Sequence, residues 1–328
     1  MNRRSTLAIL AAAAAGAWAP GARAARPWRI YMVTWRGMTD VERGFEGYFA
    51  QRGIAVDYTW RDAGQDPARV AEFAREAREL RPDLVYTWGT SATLGMAGTH
   101  DAPLPAAAPI VFALVADPVG SKIVPRLAAQ GRDVTGVFHV APLAAQLRAM
   151  RAYRPFTRLG VLYNAAEANS VAVNDALGAE LARGGGHLVR AAFAKGADGR
   201  PLADGIEDRV RELRAAGAQW LYLGPDTFLF TQIGRVAAAA REERLPTFAT
   251  TESLIASPAP VLAGLVSRYQ TIGAFAAYKA EQILGGGKRA RDLPVETLSR
   301  FSFIVRVEVA RALGALPPVT LLNFAEFR

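Results

Sequence analysis

Asn164, Glu167, Asn169 and Ser170 place four hydrogen-bonding side chains within seven residues, directly after the apolar run Leu159–Tyr163. A helical pattern begins at once behind them. Ser170 or Asn169 can cap that helix by accepting from its first N–H groups. Capping accounts for one polar side chain; a ligand-facing loop would use the others. The placement recurs. Gly89, Thr90, Ser91 and Ala92 follow the apolar run Leu84–Trp88, and Asp117 follows Pro109–Leu114. Asp226 follows Trp220–Leu223, Thr250 closes Thr247–Thr250, and Thr34 closes Arg29–Thr34.

These residue types suit the binding of a small zwitterion. Free N–H groups at a helix start, with the Thr90 and Ser91 hydroxyls beside them, suit a carboxylate. Asp226 or Glu167 suits an ammonium group, while Asp226 could equally cap the helix behind it. Asp117 before Pro118 either makes a turn or takes part in ligand contact and lobe closure. Tyr31, Trp35, Trp88 and Phe228 are candidates for stacking on a ring, although aromatics at strand ends also serve the core.

Catalytic sets are missing. There is no cysteine, hence no disulfide, thiol nucleophile or zinc–thiolate site. Gly89-Thr90-Ser91-Ala92-Thr93 lacks the last glycine of a nucleophile elbow. His100, His139 and His187 fall in different elements, and each reads as a surface residue. No HExxH, EF-hand, Walker loop or GxGxxG occurs. The pattern binds something and does not obviously transform it, so no catalytic residue, metal or cofactor is expected.

The elements that must carry these residues alternate. Short apolar strands separated by helices of 10–15 residues predict a parallel sheet covered on both faces. The alternation runs from residue 29 to Val137 and restarts with the helix Leu143–Tyr153. Helices are expected over Thr39–Gln51, Pro67–Leu80, Ser170–Arg183, Gly205–Ala216 and Phe228–Arg241. The chain has 328 residues, 51% of them hydrophobic, enough for two lobes with their own cores. The fold class is therefore α/β: two doubly wound parallel-sheet lobes. In such sheets ligands lie beyond the carboxyl ends of the strands, which is where the polar residues stand.

The formal charge is +9, but the basic residues are scattered over helix faces, and no nucleic-acid-binding module is present. The first 24 residues read as a signal peptide, with Arg3 and Arg4 ahead of the apolar stretch Leu7–Pro20. Ala22-Arg23-Ala24 then gives a cleavage site. Simple secretion and twin-arginine export both fit; either leads to the periplasm.

The chain resembles the ABC transporter substrate-binding proteins of the TrpX-like family. The resemblance is carried by Pro109–Ala113 with Asp117–Gly120, by Val134–Val137, and by Leu162-Tyr163-Asn164 with Glu167–Ser170. It continues at Ile283–Gly286 and Leu293–Glu296. It implies a type I periplasmic-binding fold in which three chain segments form the hinge. Lobe one would comprise 25–138 and 264–298, with a strand over Leu265–Tyr269. Lobe two would comprise 139–263 and 299–328. It also implies a monomer that captures a small, amino-acid-like ligand, of the aromatic class with which characterised relatives are associated, and a membrane permease as partner. A periplasmic sensor feeding a membrane kinase is the alternative, and a hydrolase on the same architecture a remote third. Three departures stand out: Arg306 where the family often has Asn, which bears on the hinge; Gly224–Phe228, which bears on the pocket; and the atypical segment Met96–Pro105.

Overall fold

The structure is a computed structural model and describes residues 26–129 and 131–328. The signal peptide expected over 1–24 lies outside the described residues.

The first sheet contains β1 (Trp28–Thr34), β2 (Val56–Asp62), β3 (Leu84–Trp88), β4 (Ile110–Val115) and β5 (Val134–Phe138). Their order is β2-β1-β3-β4-β5, with every pairing parallel. Alternate residues serve opposite faces, as the strand period requires. Ile30, Met32, Leu84 and Tyr86 pack with α1 (Asp40–Gln51) and α10 (Tyr269–Leu284). Tyr31, Val33, Val85 and Phe112 pack with α2 (Pro67–Leu80) and α3 (Thr90–Ala97). Helices α1 and α10 meet through glycine: a Cβ on Gly273 would lie 1.7 Å from the Val41 carbonyl oxygen.

The second sheet contains β6 (Arg158–Tyr163), β7 (His187–Ala192), β10 (Trp220–Leu223), β11 (Thr247–Ala249), β12 (Ala263–Val266), β13 (Ser302–Val305) and β14 (Ala325–Phe327). The order is β14-β13-β12-β11-β10-β6-β7. A small hairpin, β8 (Ala194–Lys195) with β9 (Pro201–Leu202), stands apart from it. Leu159, Val161, Trp220 and Tyr222 pack under α4 (Leu143–Tyr153) and α5 (Ala168–Arg183). Leu162, Leu221 and Leu223 pack under α6 (Ile206–Ala215) and α8 (Ile233–Glu242). The sheet is mixed rather than wholly parallel, because β13 runs antiparallel to β12.

The chain passes between the sheets three times: from Phe138 to Leu143, from Val266 to Tyr269, and from Glu296 to Ser302. The strand expected over Leu265–Tyr269 in the first lobe is corrected. It spans Ala263–Val266 and bonds to β11 and β13 of the second sheet. The crossing comes after it, at Ser267 and Arg268. Arg306 also differs from expectation. Its guanidinium donates to the carbonyls of Ser257 and Ala259 beside the second sheet and lies in no crossing. The helix expected over Phe228–Arg241 is two, α7 (Thr227–Thr231) and α8, joined at Gln232. Between Thr251 and Ser257 runs a further short helix, α9 (Glu252–Ala256), and beyond β13 stands α11 (Val307–Ala312).

Candidate functional site

A narrow cleft, with a cavity volume of about 60 Å³, lies between the lobes, where the carboxyl ends of β1, β3 and β4 face those of β6, β10 and β11.

The first-lobe wall begins at Gly89, whose φ of +83° lets the chain turn from β3 into α3. No side chain caps α3. Among the described residues, the N–H groups of Thr90, Ser91 and Ala92 have no acceptor, so the positive end of the helix opens on the cleft. Trp35, Arg36 and Trp88 complete this wall. Trp88 is held by its indole N–H, which donates to Thr39 Oγ1 at 3.2 Å. Thr39 is in turn the cap of α1, bonded to the buried Glu42 carboxylate.

The second-lobe wall is acidic and internally cross-linked. Asp226 Oδ2 accepts from the Asn164 N–H and the Ser170 hydroxyl, each at 2.6 Å, and Oδ1 accepts from the Leu229 N–H at 2.8 Å. Glu167 accepts from the Thr227 N–H and hydroxyl, both at 2.8 Å, and from the Asn169 amide at 3.0 Å. Asn169 also donates to the Pro225 carbonyl at 2.6 Å. These bonds tie the turn after β6 to the turn after β10. Burial, and then the neighbouring Asp226 charge, push the Glu167 carboxyl well above the usual carboxylate range. Burial raises Asp226 as well.

The floor is formed at the hinge. His139 is buried, and its Nδ1 lies 3.0 Å from the Val115 carbonyl. A carbonyl only accepts, so Nδ1 carries the proton and Nε2 is left as an acceptor. Burial holds this imidazole neutral, with its pKa down to about 4. Tyr269 joins its hydroxyl to Ser253 at 3.1 Å, and Ser253 contacts Thr251 at 3.2 Å. The cleft thus opposes a positive helix end and a guanidinium to two carboxylates, with indole and phenyl rings between them.

A model of the family described as ABC transporter substrate binding protein matches residues 31–326. The chain is an ABC transporter substrate-binding protein. A relative named tyrosine-binding protein, from Clostridioides difficile strain R20291, is 24% identical over 270 residues, 82% of this chain and 73% of its own. A structure of an ABC domain in complex with L-Trp, from Streptococcus pneumonia, is 21% identical with a TM-score of 0.72, covering 91% of this chain and 99% of its own. A ligand-free, open substrate-binding protein with adhesive properties, from Clostridium difficile, gives 21% and 0.68, covering 92% and 99%. Type I periplasmic-binding neighbours include a leucine-binding protein of Thermotoga maritima, with a TM-score of 0.60 at 14% identity.

In this substrate-binding protein the sequence-predicted residues divide. Gly89, Thr90, Ser91, Glu167, Asn169 and Asp226 line the cleft. Asn164 and Ser170 do not: both are buried partners of Asp226. Ala92, in the first turn of α3, points its side chain into the core. Thr250 is buried with its hydroxyl on the Leu223 carbonyl. Thr34 is also buried, against the Arg61 carbonyl and Asp62. Asp117 makes its turn, accepting from the N–H groups of Val119 and Gly120, and borders a separate apolar depression beside the first crossing. Of the stacking candidates, Trp35 and Trp88 reach the cleft. Tyr31 is in the core and bonds to Glu76, and Phe228 packs on Phe193. His139, read as a surface residue, is a buried part of the floor. Sequence reasoning missed Arg36, Phe230 and Tyr269. Arg36 was reachable by the strand-end rule that found the others, because it stands two residues beyond β1.

Proposed function

We propose that this protein captures an amino acid with an aromatic or other planar side chain and hands it, as a monomer, to an inner-membrane permease. Substrate-binding proteins of ABC transporters work outside the cytoplasm; here export would use the leader over 1–24, cleaved near Ala24, and deliver the chain to the periplasm. The single observation that carries the reading is the polarity of the cleft. Three N–H groups at the start of α3 lack acceptors on one wall, and Glu167 and Asp226 stand on the other. A carboxylate fits the first and an ammonium the second. Glu167 is the better ammonium partner: Asp226 is the more deeply buried of the two and already accepts from three donors inside the lobe. Trp35, Trp88 and Phe230 supply ring faces. The names of two relatives, one tyrosine-binding and one solved with L-Trp, support the aromatic class.

Lobe one would then be 26–138 with 267–298, and lobe two 139–266 with 299–328. A ligand touching both walls favours the closed form by its extra affinity for that form. The test is a thermal-shift screen of unfolded and refolded protein, so that carried-over ligand is removed. At about 100 times Kd a ligand adds about 2.7 kcal/mol, a shift of several degrees in a protein of this size. Shifts confined to aromatic amino acids are expected. Hits only among sugars or nucleosides would refute the reading.

A further inference from the structure

Most semi-buried arginines among the described residues are paired, Arg151, which lies over the Phe156 ring, being one that is not. Arg61 bonds to Glu76, and Arg132 donates to the carbonyls of Ala97 and Ile123. Arg268 pairs with Glu252 and Glu326, and Arg306 holds the Ser257 and Ala259 carbonyls. Arg36 does none of this. Among the described residues its guanidinium makes no hydrogen bond and no ion pair, although it lines the cleft and is largely removed from water. Its partners are two rings from opposite lobes. The guanidinium carbon lies 5.0 Å from the centroid of Trp88 and 4.1 Å from that of Phe230. Ring faces attract the charge but leave its five N–H donors without strong acceptors.

The nearby acids are engaged elsewhere. Glu167 acts on Arg36 only through space, because its oxygens are taken by Thr227 and Asn169. Glu42 likewise serves Thr39 and Tyr86. Tyr269 acts on Arg36 through space as well, and its hydroxyl is bonded to Ser253. The protein therefore keeps a desolvated fork of donors at the cleft and withholds every internal carboxylate from it. A buried cation left this way is costly unless a counter-charge arrives.

We propose that Arg36 is the specificity-determining residue of the cleft: its guanidinium, seated between Trp88 of one lobe and Phe230 of the other, receives a carboxylate of the ligand and ties its capture to closure. Arg suits this task better than Lys because its planar fork matches a carboxylate with two parallel bonds. The inference rests on the cleft being the ligand site, and not on the ligand being an amino acid. It demands only a planar carboxylate.

The experiment uses matched acid and amide pairs: L-tyrosine and L-tyrosinamide, L-tryptophan and L-tryptophanamide, benzoate and benzamide. Each is titrated calorimetrically into refolded wild type, Arg36→Gln and Arg36→Lys. Wild type is expected to bind at least one acid and to prefer it over its amide. Arg36→Gln should weaken that acid by about 30-fold or more, the usual loss for a buried charge-assisted pair, and leave the amide within about threefold. Arg36→Lys should lose less than Gln while keeping the preference, and it carries the test should Gln fail to fold. The proposal is overturned if Arg36→Gln keeps the acid preference, since the start of α3 would then carry it alone. It is also overturned if Arg36→Gln binds more tightly, which would make the guanidinium a mere filler of the ring slot, or if no acid binds the wild type. Binding of benzoate without tyrosine or tryptophan would sink the amino-acid reading and leave Arg36 in its role.

Discussion

Replacing Asp226 by alanine probes whether the second-lobe wall is held together from inside. Among the described residues its carboxylate is the sole acceptor for the Asn164 N–H and the Leu229 N–H, and it takes the Ser170 hydroxyl as well. All three partners bond to an ionisable oxygen in a buried setting, where such bonds contribute about 1.5–3 kcal/mol each. The serine hydroxyl can turn elsewhere, so two amide donors remain orphaned. Relief of the desolvated Asp226 charge offsets part of that loss. The balance is a destabilisation of about 3–5 kcal/mol, read as a lower urea midpoint by far-ultraviolet circular dichroism. Asp226→Asn keeps Oδ1 for Leu229 but turns an N–H₂ toward Asn164, so about 2 kcal/mol is expected. Asn164→Ala removes one bond, to the Ala166 N–H at 3.0 Å, and should cost about 1 kcal/mol. An alanine variant of Asp226 within about 1 kcal/mol of wild type would refute the argument that this carboxylate is a structural acceptor.

Three further outcomes follow from the same geometry. Glu167 is raised from 4.5 to about 7 in the folded protein. The folded state thus holds a proton the unfolded chain has released, and stability should fall as pH rises through that interval; urea midpoints measured at several pH values check this, and Glu167→Gln should flatten the profile. Binding of an ammonium-bearing ligand should tighten over the same pH rise, because the partner is the ionised Glu167; titration calorimetry with proton release would show it, and a flat Kd would count against the Glu167 contact. Gly273→Ala drives a methyl into the Val41 carbonyl and should destabilise by about 2–3 kcal/mol, whereas Gly47→Ala on the same α1–α10 pair of helices meets nothing within 4 Å and should stabilise by about 0.5–1 kcal/mol.

The architecture was legible because the central strands are buried on two faces and most helices on one, and burial of that kind writes its period into the residues. The cleft was legible only in part. Asn164, Glu167, Asn169 and Ser170 were correctly gathered at one strand end, but their types cannot say whether they face a ligand or each other. Asp226, sixty residues away in sequence, decides it by drawing two of them inward. Arg36 was missed because one arginine among 39 basic residues looks like surface; its lack of a partner is a property of three dimensions. The assignment of β12 failed for a related reason: a strand's apolar pattern names no neighbour, and the antiparallel pairing with β13 comes from residues 36 or more positions further on.

The triple passage between sheets also governs how the molecule comes into being. One of the two helices that cover one face of the first sheet, α10, begins at Tyr269, more than two hundred residues after β1. During synthesis α1 alone covers that face until nearly the whole second lobe has emerged. Neither lobe can be cut out as one continuous stretch, and no single proteolytic nick in a crossing releases a folded half. Each lobe therefore completes its core only after segments far along the chain have been made.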